Sequence, residues 1–198
     1  IYLETSSPAK LIDRQTKAEI TDISKINGTT IFEQGVFRPI SYEWGVNYGA
    51  MLLAGEVTGD NKFTDYTLKR LNLIAAMSKY FKGSGTQPAN NPVRSVLDPR
   101  ALDDAGSMCA AMIKSLNNDG NAELRPLIDN YINYMSNTQF RLVDGTLARN
   151  RPLPNALWLD DLYMSVPALA QMGKLTGDKK YFDDATIQIL QFEQRMFN

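Results

Sequence analysis

Gly55-Glu-Val-Thr-Gly-Asp-Asn-Lys-Phe63 recurs, little changed, as Gly173-Lys-Leu-Thr-Gly-Asp-Lys-Lys-Tyr181, 118 positions later in the chain. Leu116-Asn-Asn-Asp119 lies halfway between the two copies and fits the same frame, so three aspartates stand 59 residues apart. In the two full copies, the glycine suits the left-handed residue that ends a helix, and the aspartate after it suits the cap of the next helix. The repeat therefore predicts a series of helical hairpins.

Apolar periodicity predicts an all-α fold with seven helices. Their expected bounds are 7–20, 40–57, 61–81, 100–117, 122–136, 157–175 and 179–197. The helices at 40–57, 100–117 and 157–175 are the most apolar, and each is followed by a more polar partner, which predicts an inner and an outer layer. Because the inner helices are expected to run parallel, their N-termini should open on one rim.

Burial can also be predicted for individual elements. The helices from Ala101 to Leu116 and from Leu162 to Leu175 carry few charges and are expected to be buried on both sides. The last helix is expected to bury a single stripe: Phe182, Ala185, Ile189, Phe192 and Met196. The connections 21–39, 82–99 and 137–156 are expected on the rim, with a small hairpin over 140–147.

Composition excludes several classes of function. Lys plus Arg number 21 against 22 Asp plus Glu, so no global field attracts nucleic acid or an anionic membrane. The chain has no histidine, which removes His-dependent nucleophiles and HExxH zinc sites. Its single cysteine, Cys109, lies in an apolar run and is expected to be a small buried hydrophobe. No apolar stretch approaches the ~20 residues that span a bilayer.

Five carboxylates fall within about one turn of the predicted N-termini of the inner helices: Glu43, Asp103, Asp104, Asp160 and Asp161. Acidic residues in a first turn often only cap the helix and complement its dipole. Capping explains less well why two aspartates are adjacent in two different helices. Since consecutive helical residues point about 100° apart, one aspartate of each pair is expected to be structural and the other chemical.

Facing carboxylates in a partly apolar pocket favour acid/base chemistry, because burial and like charge keep one of them protonated near neutral pH. Glycoside chemistry uses such pairs. Trp44 and Trp158 are the only tryptophans, and either could stack on a sugar ring or pack in the core. Arg149 and Arg151 could clamp a sugar carboxylate or could be simply solvated.

The segment Ala156-Leu-Trp-Leu-Asp-Asp-Leu-Tyr-Met-Ser-Val-Pro-Ala-Leu-Ala170, with the Thr-Gly-Asp turn that follows it, resembles the unsaturated glycuronyl hydrolases of glycoside hydrolase families 105 and 88, closest to the rhamnogalacturonyl branch. Arg100-Ala-Leu-Asp-Asp-Ala-Gly-Ser-Met108 and Tyr42-Glu-Trp-Gly-Val46 match earlier segments in order. The resemblance implies an (α/α)6 six-hairpin barrel. It also implies release of a Δ4,5-unsaturated uronic acid from oligosaccharide ends, through protonation and hydration of the enol-ether double bond.

The resemblance also implies roles for individual residues. Asp160 is the expected general acid/base and Asp104 the second carboxylate. No metal or organic cofactor is expected, because the acidic residues lack the spacing of a calcium loop. The expected substrate-binding residues are Trp44, Trp158, Asp103, Asp161, Tyr42, Tyr163, Arg149 and Arg151.

Three hairpins and a leading helix make about half of a six-hairpin barrel, which at about 59 residues each needs roughly 350 residues. Residues 1–198 are therefore expected to be the N-terminal half of one catalytic domain, with an oligosaccharide as substrate and a complementary C-terminal half or a homodimer partner covering the open inner face. A non-catalytic helical-repeat binding module and an inactive half-barrel are the alternatives. A first residue other than Met and the substrate class favour a periplasmic or extracellular location, with the cytoplasm as the alternative.

Overall fold

The computed structural model describes residues 2–85, 90–118 and 120–197. The α-helices in this part of the chain are α1 (Tyr2–Ser6), α2 (Tyr42–Thr58), α3 (Asn61–Gly83), α4 (Arg94–Leu97), α5 (Leu102–Leu116), α6 (Arg125–Asn133), α7 (Leu159–Thr176) and α8 (Lys179–Met196). The strands are β1 (Leu11–Asp13), β2 (Glu19–Ile20) and β3 (Thr30–Phe32). Short 3-10 helices cover Ile23–Lys25 and Ala122–Leu124, and a π-helical turn covers Tyr134–Thr138.

The repeated turn forms as predicted. Gly59 and Gly177 end α2 and α7 with φ of 69° and 73°. Asp60 and Asp178 then accept hydrogen bonds from backbone N–H groups two residues later, at 3.0 and 3.1 Å, and so begin α3 and α8. The middle copy differs, because Asn121 caps the next helical segment, while Asp119 lies outside the described residues.

The helices form three hairpins in two layers, which confirms the predicted fold class. Helix α5 packs between α2 and α7 in the inner layer. In the outer layer, α3 packs on α2, α6 packs on α5, and α8 packs on α7. The backbones of α5 and α7 approach so closely that a Cβ on Gly106 would lie 2.0 Å from the Met164 carbonyl oxygen.

The inner helices run in the same direction. Asp104, in the first turn of α5, accepts a hydrogen bond from the Tyr42 N–H at the start of α2. At the other end, Lys114 near the end of α5 pairs with Glu56 near the end of α2, at 2.8 Å. The predicted rim of N-termini is therefore present.

The predicted leading helix over 7–20 is wrong. Its residues form β1 and β2, and the antiparallel sheet has the order β2-β1-β3, with Leu11 opposite both Ile20 and Phe32. Asp13 breaks the helical pattern, because its carboxylate accepts the N–H groups of the two residues that start the turn into β2. Side chains of this kind compete with helical hydrogen bonds.

The burial of two helices was only partly predicted. Helix α5 is almost wholly buried, as expected, but α7 has an open side on which Tyr163 is 60% exposed. Of the stripe predicted in α8, Ala185 and Phe192 are buried. Phe182, Ile189 and Met196 are 41%, 47% and 40% exposed, and Gln188 is fully buried instead.

The reason for the shift in α8 is the small hairpin, which does form, with Arg141 opposite Leu147. This hairpin packs on α8, and Gln188 accepts the Leu147 N–H at 2.8 Å and donates to the Gly145 carbonyl at 3.1 Å. A buried amide that satisfies backbone groups is stable at a position where periodicity alone favours an apolar side chain.

An apolar surface on α2 remains open in this arrangement. The side of α2 away from α3 exposes Val46, Leu53 and Val57. Among the described residues, no helix is both long and apolar enough to cross a membrane.

Candidate active site

Arg149 lies at the centre of an acidic cluster on the rim. Its Nε lies 3.0 and 2.9 Å from the two carboxylate oxygens of Asp161. Its Nη2 donates to Asp103 at 2.5 Å and to Asp160 at 2.7 Å. Carboxylate oxygens of the three aspartates lie within 4.8 Å of one another. One guanidinium thus joins residues from two inner helices.

The cluster is positioned by well-defined elements. Asp103 stands in the first turn of α5, and Asp160 and Asp161 stand in the first turn of α7. Arg149 comes from the loop between the small hairpin and α7, and its backbone exchanges two hydrogen bonds with Ala156, at 2.8 and 2.9 Å. The close approach of α5 and α7 at Gly106 is what allows a single side chain to bridge them.

Exposure differs across the cluster. The Asp161 side chain is fully buried, that of Asp103 is 24% exposed and that of Asp160 is 41% exposed. Asp160 is therefore the aspartate that an incoming ligand reaches most easily, whereas Asp161 holds Arg149 from the buried side of the cluster.

Burial shifts the pKa values of these acids. Desolvation raises the pKa of Asp103 to about 6, with a further increase from the charge of Asp160, although Arg149 opposes both. Desolvation also raises the pKa of Asp161, against the same arginine. A carboxyl group that keeps its proton to about pH 6 is suited to sharing one with a neighbour.

Asp104 lies apart from this cluster. Its carboxylate accepts the Tyr42 N–H at 2.8 Å and lies 3.9 Å from Arg38. Burial raises its pKa, and the Tyr42 hydrogen bond opposes the rise. The sequence assigned one aspartate of each pair to capping; the structure shows that Asp104 caps α2, a neighbouring helix. The geometry therefore pairs Asp160 with Asp103, where the sequence reasoning paired it with Asp104.

The two tryptophans differ in exposure and in their distance from the acidic cluster. Trp158 is 45% exposed, and the Arg149 guanidinium lies over its ring at 4.2 Å, so this ring borders the site. Trp44 is only 4% exposed and packs against Tyr48 and Tyr66. The prediction that Trp44 faces substrate is corrected, because the sheet and α3 cover its side of α2.

The remaining predicted site residues surround the cluster. Tyr42 is 42% exposed, and its pKa is raised, first by the charge of Glu43 and to lesser extents by those of Asp103 and Asp160, which places it beside the acids. Tyr163 lines an apolar groove of about 300 Å³ between α2, α5 and α7. Arg151 lines a polar cleft of about 770 Å³ on the other side of Arg149.

Tyr134 was missed by the sequence reasoning. It lies in the π-helical turn and lines the same polar cleft as Arg151. Burial raises its pKa to about 12, with smaller contributions from Asp103 and Asp161. No spacing in the sequence relates position 134 to the acidic pairs, so only the folding of the turn against α5 could reveal it.

Three close carboxylates also have the spacing to ligate a cation. Here the guanidinium of Arg149 already supplies positive charge at their centre and donates to all three. The expectation that no metal or organic cofactor is needed stays a prediction.

A fold of paired helices with acids gathered on one rim of the inner layer is typical of helical-barrel glycosidases. The model of Glycosyl Hydrolase Family 88 matches residues 10–198, and the chain belongs to that family. A solved structure from Salmonella enterica subsp. enterica serovar Paratyphi A, described as a possible member of the GH105 family, is similar over 86% of this chain, with a TM-score of 0.59 and 18% identity. The chain covers 41% of the length of that structure. No curated protein matches the sequence significantly.

The raised pKa of Asp103 predicts a pH-dependent effect of Asp103→Asn on stability. Between about pH 4 and pH 6, the Asp103 carboxyl group is deprotonated in the unfolded chain but still protonated in the folded chain. The contribution of Asp103 to the free energy of unfolding therefore falls as pH rises through this range. We expect the variant to be more stable than the wild type at pH 7.5, with the difference shrinking towards pH 4. Urea denaturation at both pH values measures it.

Asp178→Asn is the matched control. The pKa of Asp178 is lowered by its bonds to Lys180, so its contribution to stability is lost as pH falls, which is the opposite sign. A stability difference for Asp103→Asn that grows towards low pH would contradict the assignment.

Proposed function

We propose that this protein contributes the catalytic acids of a glycoside hydrolase that releases a Δ4,5-unsaturated uronic acid from the non-reducing end of pectin- or rhamnogalacturonan-type oligosaccharides. Membership of Glycosyl Hydrolase Family 88 supports the reaction class. The observation that carries the proposal is the contact of Asp103 and Asp160 with the same nitrogen, Nη2 of Arg149. Two carboxyl groups held in this way can share a single proton. The more exposed of the two, Asp160, can then donate that proton to a substrate.

The proposed reaction begins with transfer of the Asp160 proton to C4 of the enol ether. Positive charge then develops at C5 and is shared with the ring oxygen. Water adds to C5 and returns a proton to the carboxylate, which restores the acid. The resulting hemiketal opens and the rest of the oligosaccharide leaves. No step needs a histidine or a metal, in keeping with a chain that has no histidine.

The surroundings of Asp160 suit a sugar. Trp158 and Tyr163 are both substantially exposed beside the start of α7 and offer aromatic faces to a ring. Arg151 is exposed on the polar cleft and is the proposed partner of a uronate carboxylate, because Arg149 is already bonded to three aspartates.

The alternative is a non-catalytic helical-repeat module. Hairpins stacked in two layers are equally compatible with it, but a binding scaffold has no need to gather three aspartates within 4.8 Å. Like charges this close are costly, and such costs are typical of functional sites.

The far wall of the substrate pocket is proposed to come from a complementary half or a second copy. The chain covers 41% of the similar solved structure, and the open side of α2 exposes Val46, Leu53 and Val57. An apolar stripe of this kind is suited to burial against another helix.

The proposed activity is tested with an unsaturated galacturonyl-rhamnose disaccharide, by following loss of the ultraviolet absorbance of its conjugated double bond. We expect the absorbance to disappear and free rhamnose to appear in equal amount. The saturated disaccharide is the control and should not be cleaved. Cleavage of both substrates alike would indicate an ordinary glycosidase, and binding without cleavage would favour the helical-repeat module.

A further inference from the structure

The guanidinium of Arg149 has little freedom. Asp161, which is fully buried, holds its Nε side through two bonds of 3.0 and 2.9 Å. The ring of Trp158 supports one face of the guanidinium at 4.2 Å. The paired backbone hydrogen bonds to Ala156 hold the main chain. These contacts point Nη2 between Asp103 and Asp160.

A planar fork is required for this arrangement. Arginine can present its Nε–Nη2 edge to Asp161, with Nη2 2.9 Å from an Asp161 oxygen, while Nη2 also donates to the other two acids. Lysine has a single point charge and cannot present such an edge. Arg149 therefore binds three carboxylates of the protein itself. It is not available to bind the carboxylate of a sugar, which is the role considered from the sequence.

We propose that Arg149 is a positioning residue of the reaction put forward above: it holds the carboxyl groups of Asp103 and Asp160 at one nitrogen so that the pair shares a single proton. The inference rests on the proposed function for its catalytic meaning. The effect of Arg149 on the protonation of Asp103 and Asp160 can be measured without any substrate.

The charged and titratable groups that face the pair come from every neighbouring element. These groups are Asp161 from α7, Tyr42 and Glu43 from α2, Tyr134 from the π-helical turn, Arg151 from the loop, and Asp98 and Arg100 from the segment before α5. Arg149 is the cation that contacts both acids directly, and its charge opposes the rise in the pKa of Asp103. Removing it should therefore raise the pH at which the pair gains its second proton.

The test compares Arg149→Gln with Arg149→Lys. Loss of the charge in Arg149→Gln is expected to move both limbs of the pH profile of kcat upward by about one pH unit, because an adjacent opposite charge lowers a carboxyl pKa by about that much or more. It should also lower kcat by about 100-fold with little change in KM, since the acids lose their alignment. Arg149→Lys keeps the charge, so the limbs should stay in place while kcat still falls.

Arg141→Gln is the matched control. Arg141 makes a comparable two-nitrogen ion pair with Asp184, at 2.8 and 2.7 Å, and its side chain is 21% exposed against 20% for Arg149. Since this pair joins the small hairpin to α8, its loss should lower stability and leave the pH profile unchanged.

An increase in KM alone for Arg149→Gln would overturn the proposal, because that result would mean that Arg149 binds substrate.

A carbon-13 NMR titration of the aspartate carboxyl groups gives the second readout. We expect the Asp103 resonance to titrate at higher pH in Arg149→Gln than in the wild type and at the wild-type pH in Arg141→Gln. An unchanged titration in Arg149→Gln overturns the proposal even if the enzyme is active. If no activity is found in any form, the proposed function fails, while the titration still decides the role of Arg149.

Arg149→Gln leaves a fully buried carboxylate at Asp161 without its cation, which can prevent folding. In that case the double variant Arg149→Gln with Asp161→Asn carries the titration, because it removes the unpaired charge and keeps Asp103 and Asp160. It is compared with Asp161→Asn alone, since the charge of Asp161 itself raises the pKa of Asp103.

Discussion

Asp160→Asn is expected to lower kcat on the unsaturated disaccharide by about 1,000-fold, with a small effect on KM. Loss of a general acid typically costs 100-fold to 10,000-fold. The amide oxygen can still accept the bond from Arg149 Nη2, now 2.7 Å from the carboxylate, so the cluster should keep its geometry while losing the proton that is transferred. Steady-state kinetics by the absorbance assay measure the effect.

Asp183→Asn is the control for this substitution. Asp183 is exposed near the start of α8, which follows the end of α7 opposite to the acidic first turn, and its replacement should leave kcat at the wild-type value. Retention of most of the wild-type kcat in Asp160→Asn would remove Asp160 from the proposed mechanism and direct attention to Asp103 as the proton donor.

Gly106→Ala is expected to destabilise the fold by about 3 kcal/mol or more. The new Cβ would lie 2.0 Å from the Met164 carbonyl oxygen and 2.6 Å from its carbon, so it overlaps backbone atoms that cannot rotate away. Overpacking of a core usually costs about 1–3 kcal/mol, even where side chains can adjust. The gain of roughly 1 kcal/mol from alanine over glycine within a helix is too small to offset it.

The same substitution should also lower activity, because α5 and α7 carry Asp103 and Asp160 and must separate to admit the methyl group. Gly49→Ala is the matched control, since nothing lies within 4 Å of a Cβ at that position of α2. It should stabilise the protein by roughly 0.5–1 kcal/mol. Equal urea midpoints for Gly106→Ala and the wild type would mean that the two helices do not meet as closely as described.

The hairpins were predictable because their signals are local. A left-handed glycine followed by a capping aspartate encodes the end of one helix and the start of the next within a few residues, and both full copies of the turn behave identically. The predicted helix over 7–20 failed for a related reason. The local turn at Asp13 outweighs the apolar periodicity, and pairing of β1 with a strand about 20 residues away completes the sheet.

The carboxylates on the rim were predictable as a group but not as partners. The repeat aligned Asp103 and Asp104 with Asp160 and Asp161, and the family resemblance favoured Asp104. The structure assigns Asp104 to the N–H of Tyr42 and Asp103 to the cluster, because adjacent helical residues point about 100° apart and α2 occupies one of those directions.

By itself, the sequence determined the helical hairpins, the two layers and the presence of acids on one rim, since each of these follows from capping, periodicity and spacing along the chain. Only the tertiary structure decided which acids meet, that Trp44 is buried, and that Arg149 joins two helices. Those outcomes depend on how closely α5 and α7 approach at Gly106, and a distance between separate helices is set by packing.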